Sequence, residues 1–99
     1  MEFDGFDWDF GIRVKCQIHG VSLAEIESLF RGVSLVGPDS EHSIVERRFR
    51  AIGLTAERRN LFVVFTWLHN GADRLIRPLS ARYMHKKEIA AHAKEIPGV

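Results

Sequence analysis

The chain has 99 residues, a formal net charge of +1 and 45% hydrophobic residues, which suits one small domain over residues 1–99 with a packed core and excludes a disordered chain. No apolar run is long enough to span a bilayer and the N-terminus is acidic, so neither a transmembrane helix nor a signal peptide is expected. Cys16 is the sole cysteine, so an internal disulfide is excluded and a reducing, cytoplasmic setting follows, with Cys16 read as a buried or half-buried side chain.

Charge is unevenly placed. Residues 1–30 hold Glu2, Asp4, Asp7, Asp9, Glu25 and Glu27 against Arg13 and Lys15. From Arg31 onward positive charge prevails, and arginine outnumbers lysine. Arginine binds phosphate or carboxylate through a two-pronged fork, so this portion suits an anionic partner without naming it.

Residues 2–8 place Phe3 and Trp8 out of strict alternation and make at most a short edge strand. Asp9 can cap a helix from Phe10 towards His19, with Phe10, Val14 and Ile18 as its apolar stripe and Gly20 as its stop. Ser22-Leu23-Ala24-Glu25 is a capping box, with Val21 and Ile26 placed as a hydrophobic staple. The helix it starts buries Leu23, Ile26, Leu29 and Phe30 and ends near Arg31-Gly32. Val33 to Val36 makes a short strand, followed by a loop at Gly37-Pro38-Asp39-Ser40.

Glu46 to Leu54 reads as a strand with Phe49 and Ala51 on one face and Arg48, Arg50 and Ile52 on the other. Leu61 to Trp67 is a run of β-formers and is the expected central strand. Asn70-Gly71 signals a hairpin. Leu75 to Leu79 is the last strand, with Pro78 forcing an end, a bulge or an edge position. Ser80 reads as the cap of a closing helix from Ala81 to about Ala93. Short turns between strands imply an antiparallel meander, so the expected class is α+β, with helices against one face of a small sheet.

The candidate site follows from that reading. Arg77 and Arg82 flank the expected helix N-terminus at Ser80, where unpaired N–H groups already favour an anion. Arg48 and Arg50 share a strand face, and Arg82 and Lys86 stand one helical turn apart. Such a basic surface suits a phosphodiester. In RNA the 2′-hydroxyl is an internal nucleophile, so cleavage needs a proton acceptor, a proton donor and cations around the phosphorus. Histidine carries protons near neutral pH, which makes His19, His42 and His85 candidates. The histidine spacings match no zinc motif, and no Gly-rich phosphate loop is present.

Asp7-Trp8-Asp9-Phe10-Gly11, Lys15, His19-Gly20-Val21-Ser22 and Glu25 resemble the N-terminal signature of BrnT-type toxins. So do Asp39, His42-Ser43, Glu46, Arg48-Phe49 and Ile52-Gly53, then Phe62-Val63-Val64-Phe65-Thr66. Arg77, Ser80-Ala81-Arg82 and Glu88 resemble the family's ending. The resemblance implies a RelE-like fold, a small antiparallel sheet with two N-terminal helices and one C-terminal helix. It implies a ribonuclease that acts without a metal cofactor and stops translation. It also implies a BrnA-type ribbon-helix-helix antitoxin as partner, with promoter DNA bound only through that antitoxin, and no membrane. By the same resemblance Arg77, Arg82 and His19 are the catalytic candidates. Lys15, Arg48, Arg50 and Lys86 are expected to hold RNA, with Ser80 and Glu88 supporting. Ile12 and Ile18 depart from the family pattern, where asparagine and a basic residue are frequent. They open a second reading, a catalytically weak homologue that completes a repressor complex with its antitoxin.

Overall fold

A computed structural model describes residues 2–39 and 47–92. The element order is β1 (Gly5–Phe6), α1 (Phe10–Cys16), α2 (Leu23–Arg31), β2 (Ser34–Pro38), β3 (Phe49–Leu54), β4 (Asn60–Asn70), β5 (Asp73–Tyr83) and α3 (Lys86–Ala91). The five strands form one sheet in the order β1-β5-β4-β3-β2. The fold is α+β. The sheet is mixed: β2 to β5 make the antiparallel meander, while β1 adds to β5 in parallel through Gly5↔Leu75 and Phe6↔Ile76.

β4 is the central strand, as its run of β-formers predicts. Its turn into β5 uses Gly71 at φ +62, a conformation glycine adopts without a Cβ penalty. Phe65 pairs with Pro78 and Val64 with Ser80, so Leu79 is the extra residue of a β-bulge. Proline's missing donor is thus accommodated by a bulge while the strand continues.

That continuation corrects the expected closing helix. Residues 80–83 are strand, paired Ser80↔Val64, Ala81↔Val63, Arg82↔Phe62 and Tyr83↔Leu61, and the Met84 N–H donates to the Asn60 carbonyl. Ser80 caps no helix. Four ladder positions against the central strand outweigh the helical propensity of Ser-Ala-Arg. α3 begins only at Lys86, with His85 at its N-cap position. Its expected end near Ala93, the start of the β3 segment at Glu46, and His42 lie outside the described residues.

α1 is also shorter than expected. Asp9 caps it by accepting the Ile12 N–H at 2.8 Å, and Gly20 at φ +79 marks the stop, but the helix ends at Cys16. α1 packs against β5 with Ile12 and Cys16 turned to the core, while Val14 and Ile18 face out at 51% and 68% exposure. Positions 12 and 16 are one turn apart, so the inward stripe is theirs rather than that of 14 and 18. Cys16 is fully buried, and burial pushes its thiol up to about 11, which leaves it inert.

α2 has the expected start, with Ser22 Oγ accepting the Glu25 N–H at 3.1 Å and Val21 and Ile26 both buried. It brings Ile26, Leu29 and Phe30 onto Ala51, Val63, Phe65 and Ile76 of the sheet. The opposite face carries a smaller cluster of Ile52, Met84, Phe62 and, from α3, Ile89. The helices therefore flank the sheet on both sides instead of sharing one face. No helix among the described residues is long and apolar enough to cross a membrane.

Candidate active site

The second face of the sheet is where basic residues meet. Side chains two apart on a strand, and those directly opposite across a pair, share a face. Arg50 and Ile52 on β3 therefore lie beside Val64 and Phe62 on β4, and these beside Ser80 and Arg82 on β5. A cleft of about 450 Å³ opens over them. It is lined by His19, Pro38, Asp39, Arg50, Phe62, Val64, Ser80, Ala81, Arg82 and Glu88. Five sequence-predicted site residues, His19, Arg50, Ser80, Arg82 and Glu88, thus come together from the turn after α1, two strands and α3.

Arg82 is held from two directions. Its guanidinium lies 4.6 Å from the centre of the Phe62 ring, and its two terminal nitrogens donate to the two carboxylate oxygens of Glu88 at 2.7 and 2.9 Å. The His85 backbone N–H donates to the same carboxylate at 2.9 Å. Glu88 is consequently held well below the usual carboxylate range, at about 2, chiefly by the Arg82 hydrogen bonds and then by the His85 N–H. Arg82 is pushed up by the same pair. Arg50, across the cleft, is exposed and has no ion pair with a described residue. Such a cleft can hold an anion between a fixed guanidinium and an available one.

Four predicted residues lie outside the lining. Arg77 is on the same sheet face, but its Nε is 3.2 Å from Asp7 Oδ2 and its Nη2 donates to Asp9 Oδ2 at 3.0 Å. Those contacts join β5 to the start of α1. Lys15 and Lys86 are exposed, and Arg48 is half-buried just before β3. Lys86 and Arg82 do not share a helix face, because Arg82 is on β5. His85 is exposed. Among the described residues no group of three or more His, Cys, Asp or Glu is placed to hold a metal ion.

Two contributors escaped the sequence reading. Phe62 and Val64 floor the cleft. The signal was their alternation with the core residues Leu61, Val63 and Phe65, hidden because the run is apolar throughout. Glu25 reads as a capping residue, yet it is 4% exposed and accepts from Tyr83 Oη at 2.6 Å and Thr55 Oγ1 at 3.0 Å. This buried network lies on the α2 side, away from the cleft.

The fold and cleft define a small α+β protein with a pocket on one sheet face that brings two arginines and a histidine together with Asp39 and Glu88. The family model described as the ribonuclease toxin BrnT of type II toxin–antitoxin systems matches residues 8–88. The chain belongs to this family, and membership of a type II toxin–antitoxin family implies an antitoxin partner. No curated protein matches the chain.

Proposed function

We propose that the chain is an endoribonuclease toxin that works in the cytoplasm, cleaving RNA in the cleft between Arg50 and Arg82. The observation that carries this reading is the meeting of His19, Arg50 and Arg82 around one cleft in a member of a ribonuclease toxin family. In this reading a phosphodiester lies between the two guanidiniums. His19 takes the proton of the 2′-hydroxyl, whose oxygen attacks the neighbouring phosphorus. The bond to the 5′ oxygen breaks, and that oxygen takes a proton from water. The products are a 2′,3′-cyclic phosphate and a 5′-hydroxyl. Arg50 and Arg82 stabilise the charge that builds on the phosphorane oxygens. Glu88 keeps the Arg82 fork aimed, Ser80 offers a hydroxyl to a phosphate oxygen, and no metal or other cofactor takes part. Arg77 acts at one remove, by holding α1 and hence His19. Lys15, Arg48 and Lys86 receive the RNA strand on either side. Loss of messenger RNA then stops translation, until a BrnA-type antitoxin covers the cleft with acidic residues. Promoter DNA is met only through that antitoxin.

A second reading has the chain as a weak nuclease that mainly completes a repressor complex. The exposed Val14 and Ile18, apolar surface immediately before His19, favour it. One experiment separates the two. The purified chain, free of antitoxin, is incubated with a defined RNA in EDTA, beside a His19→Ala variant. Cleavage to cyclic-phosphate ends by wild type alone supports the enzyme. No cleavage by a folded wild type, as judged by circular dichroism, supports the repressor subunit. Equal cleavage by both chains removes His19 from the site.

A further inference from the structure

Beyond Arg50 the same sheet face continues into a second, smaller depression of about 210 Å³, lined by Leu35, Val36, Gly37, Arg50 and Ile52. Arg50 lines both this depression and the cleft, so the two adjoin at this one residue. The pairing explains its shape. Leu35 stands opposite Ile52 and Gly37 opposite Arg50, so all four positions present the same face. Leu35 and Ile52 supply an apolar wall and floor. Gly37 supplies a gap, since a Cβ built there meets nothing within 4 Å among the described residues.

We infer that this depression is a nucleobase subsite, which takes the base of a nucleotide neighbouring the cleaved bond while Arg50 holds the phosphate between them. The inference rests on the ribonuclease reading for the identity of its ligand. A single-stranded base presents a flat apolar face and a charged phosphate one bond-path away. The depression and Arg50 offer an apolar floor and a cation in that same adjacency.

The test is Gly37→Leu, which fills the gap. Gly37 is not among the residues at positive φ, so the substitution carries no backbone strain. The probe is a short RNA made uncleavable by 2′-deoxy substitution, paired with versions carrying one abasic nucleotide stepped along the strand. Wild type should bind the intact strand about tenfold more tightly than the version abasic at one particular position, the loss of one stacked base. Gly37→Leu should bind intact and abasic strands alike. A flat abasic scan in wild type overturns the subsite, and so does a folded Gly37→Leu chain that keeps the tenfold preference. Binding of antitoxin lost in Gly37→Leu, with the base preference kept, assigns the depression to the protein partner and also overturns it. Cleavage of the all-ribose strand, run in parallel, bears on the enzyme reading alone. A base preference without cleavage keeps the subsite and removes the nuclease.

Discussion

Glu88 grips Arg82 through two parallel hydrogen bonds, 2.7 Å from Oε1 to Nη1 and 2.9 Å from Oε2 to Nη2. This pair ties α3 to β5, and α3 otherwise contributes little to the interior beyond Ile89. Its effect on stability has a definite sign. The folded pKa of Glu88, about 2, lies below its ordinary value of 4.5, so the pair stabilises the fold fully above about pH 5. That contribution shrinks as pH falls from 4.5 and is gone below about 2. Because both side chains are about one-third exposed, the pair contributes about 1 kcal/mol rather than the full linkage value. Urea unfolding of Glu88→Gln at neutral pH should show that loss, and the gap to wild type should close on acidification. A gap unchanged at low pH would remove the ion pair as its cause.

Arg82→Lys separates charge from geometry. An ammonium keeps the positive charge but cannot bond both Glu88 oxygens in parallel while lying flat on Phe62. If the proposed site is right, cleavage should fall roughly 100-fold with the fold intact, as expected when a preorganised donor to the transition state is lost. Activity near that of wild type in the lysine variant would mean that charge alone is enough.

Tyr83 predicts the opposite pattern, stability lost and activity kept. Its hydroxyl donates to Glu25 and accepts from Arg59 Nη1 at 2.9 Å, on the α2 side of the sheet. Tyr83→Phe strips one partner from a carboxylate that is nearly fully buried, at a cost of about 2 kcal/mol. Thermal melts should register it. RNA cleavage per folded molecule should stay within about twofold, since no atom of this network lines the cleft.

Gly53→Ala tests the join between α2 and β3. A Cβ there would come within 3.1 Å of Leu29 Cδ1 and of the Val33 carbonyl oxygen, and 3.3 Å from Ser34 Cα. Two of the three are backbone atoms and give way poorly, so the variant should lose about 1–3 kcal/mol by overpacking. A denaturant midpoint equal to that of wild type would show that β2 can shift away freely.

Much of this architecture is legible in the sequence wherever a local pattern and the tertiary environment agree. Leu61 to Trp67 is a strand on composition, and as β4 it lies at the centre of the sheet. Ser22 announces α2 because a cap is a local bond. Ser80 to Tyr83 misleads for the converse reason. Its residues suit a helix start, and only the pairing with residues 61–64 makes them strand. The consequence for the site is large, because on a strand Arg82 turns to the sheet face of Arg50 and does not share a helix face with Lys86. Glu25 is similarly ambiguous. Its partners Thr55 and Tyr83 are 30 and 58 residues away, and no local pattern encodes bonds at that range.

Asp9 and Arg77 supply the last prediction, which concerns how α1 is held. Asp9 Oδ1 caps the helix at Ile12 while Oδ2 accepts from Arg77, so one carboxylate fastens the start of α1 to β5. Its carboxyl lies below the ordinary range, first through the Ile12 N–H and then through the Arg77 hydrogen bond. The stabilisation is therefore present above the unfolded pKa and lost as pH falls through the lower folded one. Arg77→Ala should lower cleavage by loosening α1, the helix that leads into His19. The same result would follow if Arg77 touched RNA directly, so a second variant is needed. Asp7→Asn with Asp9→Asn keeps Arg77 and keeps an amide oxygen to cap α1, but removes both ion pairs. If Arg77 works by anchoring α1, this double variant should lower cleavage much as Arg77→Ala does. If Arg77 binds phosphate itself, freeing it from two carboxylates should leave cleavage intact or raise it. Cleavage rates for the two variants and wild type, at matched folded fraction by circular dichroism, decide between these roles.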